Sequence, residues 1–447
     1  MMKLPPFSQG MLDLLMRPWF DRVALATVAH WLFPLSRAWA AATTADGPAA
    51  LAQAIGGARL PMGQLARVWQ LTRTRQQHYN EAAAGWEHAF FGPGTPSPAS
   101  LDEAERRRAQ AALAFSNTRT SFLPFHLVRR LPAVEWEMRG PAELEASRHA
   151  ARADDPGGAF PPRAADGAEV SRALPRDGAV HSWVRLPSAI GEQSEPAWAR
   201  VIAPHGVAEP PTVIFLHGLA MELEFFASDG GIAATLVDAG IRVIQPEGPW
   251  HGRRRKPGFY GGEPVVSAGP LGMIELFEAW VGEAAAWVAW SRQTSRGKVG
   301  LSGLSLGALT AQIAATAAGT WPEAARPDAL LLIATSGDVI EAGAGGSLGV
   351  ALGAPPRLEE AGWTPEKLAR WRPLLEPSLP PALDPDRILM VLGEADDLTP
   401  YRGGAALAER WRVPPSNIFA RHQGHFSVAL DLTRRSAPLE RLASMLR

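Results

Sequence analysis

Three residues of this chain could together cleave an acyl bond: Ser305 between Gly303 and Gly307, Asp396 in the loop after Gly393, and His425 in Gly424-His425-Phe426. A serine hydroxyl is barely ionised at neutral pH and needs a neighbouring imidazole as general base. His425 would take that proton and later return it to the leaving group. An acid on the far side of the ring fixes its tautomer and stabilises the imidazolium, a role that Asp396 fits. Each of the three follows a short apolar run read as a strand: the stretch from Val299 before Ser305, residues 388–392, and residues 417–420.

The stretch from Val299 to Ala308 passes from an apolar run through Gly-x-Ser-x-Gly into an alanine-rich helical pattern, the sequence of a nucleophile elbow. Without Cβ atoms at Gly303 and Gly307, the turn under the serine can tighten. A glycine-rich turn whose serine merely caps a helix has the same pattern. Ser302, Asp397 and His422 compete with the three candidates, although Ser302 still lies in the strand.

Composition narrows the classes. Lys and Arg number 44 against 45 Asp and Glu, a formal net charge of −1, so the chain as a whole has no electrostatic footprint for nucleic acid. The absence of cysteine excludes disulfides, thiolate metal sites and a cysteine nucleophile. The apolar run 23–34 has Asp13, Asp21 and Arg37 around it and starts late for a secretory signal; it is also too short to span a bilayer. A cytoplasmic location with no transmembrane helix is expected.

With 447 residues, 46% of them hydrophobic, the chain should form more than one structural unit. Residues 1–153 read as a helical N-terminal region. Residues 11–42 carry an apolar face of Met11, Leu14, Leu15, Trp19, Phe20, Val23 and Leu25, interrupted at Pro18 and Pro34. Such a face packs on the rest of the protein or rests on a membrane surface. Residues 154–178, rich in Pro, Gly and Asp, read as a linker. From 179 to 447, strands at 179–186, 198–203, 212–216, 241–245, 329–334, 388–392 and 417–420 alternate with helices after 212, including 232–239 and 271–290. That order implies an α/β fold with a mostly parallel, helix-covered sheet.

Residues 340–385 exceed an ordinary connection and read as a small lid. There Leu348, Val350, Leu352, Trp363, Trp371 and Leu374 either line an acyl pocket or pack the lid on the core. In residues 246–256, Arg253, Arg254, Arg255 and Lys256 either receive an anionic substrate group or pair with Glu222, Glu224 or Glu247. His251 reads as a structural hydrogen bonder.

Over residues 196–447 the sequence resembles the α/β-hydrolase superfamily. The resemblance is carried by His217-Gly218, Gly303-Leu304-Ser305-Leu306-Gly307, Gly393-x-x-Asp396-x-x-x-Pro400 and Gly424-His425-Phe426. It implies the α/β-hydrolase fold and a catalytic set of Ser305, Asp396 and His425, the acid being the first aspartate of its loop. It also implies an oxyanion hole from the backbone N–H of Leu306 and one from the loop after Gly218, at Leu219 or else Ala220 or Met221. His217, Gly218, Arg253, Arg254, Trp363 and Trp371 are the substrate-contact candidates. Neither a metal nor an organic cofactor is required. The expected activity is hydrolysis of a small lipid-like or anionic carboxylic ester through an acyl-enzyme. Amide or thioester cleavage uses the same machinery, and the different-class reading is a non-catalytic scaffold whose N-terminal helices bind a membrane or partner. The stretch 246–256 loosely resembles a Pro-Tyr-x-Gly-x-Arg-Lys-Pro loop of the alpha/beta hydrolase domain-containing 18 family, whose elbow carries Ser-Met-Gly-Gly where this chain has Ser305-Leu306-Gly307-Ala308.

Overall fold

The computed structural model describes residues 17–56, 60–191, 193–221 and 231–447. Met11, Leu14 and Leu15, counted in the expected apolar face, lie outside them, as do Glu222 and Glu224. The described residues open with α1 (Pro18–Thr27), a π-helical turn (Val28–Leu32) and α2 (Phe33–Thr44). Pro34 therefore marks a wide turn inside a continuing helix rather than a break, because the lengthened turn accommodates its missing N–H. Long helices α3 (Met62–Phe91) and α4 (Pro98–Asn117) follow, the second starting with Pro98 in its first turn and capped by Ser97.

A ten-stranded sheet forms the centre. Its strands are β1 (Glu169–Val170), β2 (Leu174–Arg176), β3 (Ala179–Leu186), β4 (Ala197–Pro204), β5 (Thr212–Leu216), β6 (Arg242–Pro246), β7 (Val299–Leu304), β8 (Ala329–Ile333), β9 (Ile388–Gly393) and β10 (Ile418–Arg421). The order is β1-β3-β4-β6-β5-β7-β8-β9-β10, with β2 also on β3. From β6 to β10 the pairs are parallel, and β4 meets β6 antiparallel.

Side-chain alternation divides the core between the two faces. Leu330 and Leu332 of β8 join the cluster under α5 (Pro270–Thr294) and α6 (Leu306–Ala317), while Leu331 and Ile333 join the opposite cluster. A strand buried on both faces is mainly apolar, so β8 and β9 read as continuous runs, while the buried Arg242 of β6 is satisfied by the Thr212 hydroxyl and the Ser291 carbonyl.

Beyond β8, five short helices follow: α7 (Val339–Ala344), α8 (Ser347–Leu352), α9 (Ala354–Glu360), α10 (Pro365–Ala369) and α11 (Arg372–Leu375). After β9 and β10 come α12 (Tyr401–Arg410), α13 (His425–Leu430) and α14 (Ala437–Leu446), the last covering the second face of the sheet.

The expected linker 154–178 is instead packed into the structure. Ala159 and Phe160 are buried, Trp321 donates its indole N–H to the Phe160 carbonyl at 2.8 Å, and β1 and β2 extend the sheet. Its turn residues shape bends between these anchors. The expected apolar face of α1 also differs: Trp19 and Val23 are exposed, and the buried residue of that helix is Asp21. Among the described residues, no helix is long and apolar enough to cross a membrane.

A buried ion pair fastens α2 to the sheet domain. Arg37 reaches both carboxylate oxygens of Glu263, at 2.9 and 3.0 Å, and donates to the Gly258 carbonyl at 2.6 Å. Glu263 is fully buried and also accepts the backbone N–H groups of Glu135 and Tyr260. Removing the arginine leaves that carboxylate buried without its cation, so Arg37→Ala should cost roughly 3–5 kcal/mol in denaturant unfolding. An unchanged unfolding midpoint would show that the pair does not fasten α2.

Candidate active site

The site is built where β7 turns into α6. Ser305 has φ 54° and ψ −119°, an uncommon backbone conformation for a side chain with a Cβ. It persists because the surroundings leave the chain no room: a Cβ at Gly303 would strike the Gly307 carbonyl, and one at Gly307 would strike the Leu216 carbonyl at the end of β5. The Ser305 N–H is tied to Ile333 O at 2.9 Å. This holds the hydroxyl at the carboxyl edge of the sheet.

His425, the first residue of α13, presents Nε2 to Ser305 Oγ at 2.8 Å. Its Nδ1 lies 2.8 Å from Asp396 Oδ2, so Nδ1–H donates to the carboxylate and Nε2 is free to accept. Asp396 also accepts from the Leu398 and Thr399 N–H groups and the Thr399 hydroxyl. Thr399 Oγ1 is also 3.1 Å from His425 Nδ1, a partner that the sequence reading missed.

The competing residues lie elsewhere. Asp397 is exposed and accepts the Ser347 hydroxyl at 2.8 Å, fastening α8; His422 is exposed beside Glu394; and Ser302 is buried within β7.

Burial pulls the His425 pKa down, but the Asp396 charge and hydrogen bond, with Asp21 and Asp397 farther out, outweigh it and leave it above the ordinary imidazole value. For Asp396, burial pushes the pKa up, yet His425 and the Thr399 hydrogen bonds bring it below the usual carboxylate value. Each partner favours the charged form of the other.

Two neutral histidines shape the opposite wall. Burial lowers the pKa of both His217 and His251. His217 donates through Nδ1 to Gly218 O at 2.8 Å and accepts the Gly248 N–H at Nε2 at 2.9 Å. His251 likewise donates to Pro249 O and accepts the Ala220 N–H, at 3.2 Å. They clamp the loops after β5 and β6 together, so His217 positions backbone rather than touching the cavity. Gly218 passes close to the serine: a Cβ there would lie 3.5 Å from Ser305 Cβ. The Ala220 N–H is taken by His251 and the Met221 N–H faces Gly218 O at 3.4 Å, whereas Leu219 lies on the cavity.

That cavity, about 160 Å³, runs from Ser305, Leu306, Leu219 and Thr399 between α5 and helices α7 to α11. Its walls include Val265, Leu309, Ile340, Leu348, Leu352 and Leu375. Of the residues expected to line an acyl pocket, Leu348 and Leu352 do so. Val350 is exposed, and Trp363, Trp371 and Leu374 are buried in the core beneath. Trp363 spends its indole N–H on Arg139 O at 2.8 Å. Both tryptophans are buried behind the cavity wall rather than lining it.

Nor do the arginines face the cavity. Arg254 is 1% exposed, pairs with Glu283 at 2.7 and 2.9 Å, and donates to Glu247 O. Arg253 pairs with Glu247 and lies over the Trp86 and Trp198 rings. Buried carboxylates pair with both guanidiniums, which lie away from the cavity. Among the described residues, no group of three or more His, Asp or Glu side chains is arranged to hold a metal.

A twisted, mostly parallel sheet with the serine on the strand-to-helix turn and the histidine after the last strand makes this an α/β-hydrolase by fold. Residues 161–340 match the family described as Alpha/beta hydrolase domain containing 18, a segment that holds Ser305 and ends before Asp396 and His425. No curated protein sequence matches significantly. Solved structures similar to this chain include acetyl xylan esterase 1 from Thermoanaerobacterium sp., at 13% identity over 67% of this chain and 99% of that one with a TM-score of 0.45. An esterase from an Arctic intertidal metagenomic library is 16% identical over 62% of this chain and 98% of its own, with a TM-score of 0.40. An S-formylglutathione hydrolase from Agrobacterium tumefaciens is 14% identical over 62% and 100%, with a TM-score of 0.39.

Proposed function

We propose that this protein is a serine hydrolase that cleaves carboxylic esters of small, uncharged, apolar acyl groups. The observation that carries this reading is the Ser305–His425–Asp396 chain of 2.8 Å hydrogen bonds opening onto an apolar cavity. Ser305 Oγ attacks the ester carbonyl as His425 Nε2 takes its proton. The oxyanion sits against the N–H groups of Leu306 and Leu219, two residues that line the cavity beside Ser305. His425 passes the proton to the departing alcohol. Water then attacks the acyl-enzyme, giving its proton to His425, and the acid leaves as Ser305 recovers its hydrogen.

Helices α7 to α11 act as the lid that walls the acyl pocket. An apolar cavity of about 150 Å³ takes up a benzene-sized molecule, which sets the scale for the acyl group here. A carboxylate on that group would be desolvated without a cation to meet it, so anionic acyl groups are disfavoured. Thioester cleavage is the second reading, supported by the same site.

The test is a panel of aryl esters of graded acyl length. Activity should peak at short to medium chains, fall at least tenfold for acyl groups ending in carboxylate, and drop at least about 10³-fold in Ser305→Ala. A preference for anionic esters, or turnover that survives Ser305→Ala, would overturn the reading. Because His425 must be neutral to accept a proton, kcat/KM should fall as pH drops through an apparent pKa above about 6.5. A profile flat down to about pH 5 would exclude His425 as the base.

A further inference from the structure

We propose that Asp21, on the N-terminal helix α1, is a positioning residue for His425, so that α1 forms part of the active site. This rests on the serine-hydrolase reading above. A helix leaves its first N–H groups without partners inside the helix, and a side chain at its N-cap normally accepts them. The helix that begins with His425 has Gly424 at that position, which has no side chain to offer.

Asp21 takes its place from some 400 residues upstream. Its Oδ1 accepts the N–H of Phe426 at 2.6 Å and of Ser427 at 3.0 Å; its Oδ2 accepts the Gly424 N–H at 3.2 Å and the Ser427 hydroxyl. The Ser427 hydroxyl in turn accepts the Gly424 N–H at 3.0 Å, closing the network.

These donors come from Gly424, Phe426 and Ser427, which bracket His425 on both sides. The carboxylate therefore fixes the backbone from which the imidazole projects. The fit is close enough that a Cβ on Gly424 would collide with the Asp21 carboxyl. Asp21 is 9% exposed and is the buried residue of a helix whose Trp19 and Val23 face solvent. Burying a charge is costly unless its hydrogen bonds are used, and here the carboxylate's bonds converge on the segment carrying His425. Asp396 orients the ring from its Nδ1 edge, while Asp21 sets the backbone beneath it.

The test compares wild type, Asp21→Ala, Asp21→Asn and Ser427→Ala as full-length proteins, with the concentration of reactive serine titrated by a fluorophosphonate. Normalising to titrated sites removes the contribution of unfolded molecules. For Asp21→Ala we expect kcat per titrated site to fall by about 10- to 100-fold with KM changed less than about twofold, since a misplacement of about 1 Å can cost that much. Asp21→Asn, which keeps one acceptor oxygen, should recover part of the loss, and Ser427→Ala should show a smaller loss in the same direction. If Asp21→Ala does not fold, Asp21→Asn and Ser427→Ala carry the test. Unchanged kcat per titrated site in the folded variants would overturn the positioning role, even with a lowered melting temperature. A wild type whose turnover survives Ser305→Ala would instead overturn the serine-hydrolase reading on which the role rests.

Discussion

Backbone crowding at the turn between β7 and α6 is the constraint on which the remaining geometry depends. The Ser305 backbone is held at positive φ because Gly303 approaches the Gly307 carbonyl and Gly307 approaches the end of β5 more closely than any Cβ would allow. Parallel strands on either side supply the rigidity. Pairing of β7 with β5 and β8 fixes the turn on both flanks, and the buried residues of both faces prevent it from relaxing. The strain stays local because the surrounding sheet is over-determined.

Around that fixed serine, buried charges organise the loops. Asp396 holds His425 from one side and Asp21 holds its backbone from below; Arg37 with Glu263, and Arg254 with Glu283, anchor the segments behind the opposite wall. Each of these charges is paired or saturated with donors, as burial demands. The cavity itself is left to apolar side chains. Charge sets the shape of the walls, and hydrophobic surface lines the space between them.

Much of the fold was legible in sequence because β5 to β9 are buried on both faces and so read as mainly apolar runs, two of them followed by loops that carry Ser305 and Asp396. Ser305 and Asp396 could be read for that reason, whereas β10 before His425 is only partly buried and the Gly424-His425-Phe426 context marked that residue. Arg253 meets Glu247, one of the partners the sequence offered, but the partner of Arg254 could not be read, since Glu283 lies 29 residues away and is brought to it by α5. Trp363 and Trp371 looked like pocket residues because a large apolar side chain reads the same whether it lines a cavity or supports its wall. Asp21 and Thr399 left less trace: an aspartate in an amphipathic helix gives no sign of a partner some 400 residues away, and a threonine before a proline looks like any turn residue. A glycine at the N-cap of the helix carrying His425 was the available clue, because a helix lacking its own cap must borrow one.

Peptide mapping by mass spectrometry after treatment of the folded protein with a fluorophosphonate tests the central proposal most directly. We expect a single phosphonyl adduct on the peptide containing Ser305, absent in Ser305→Ala and slowed in His425→Ala. An unlabelled folded protein, or an adduct on another residue, would contradict the assignment of Ser305 as the nucleophile.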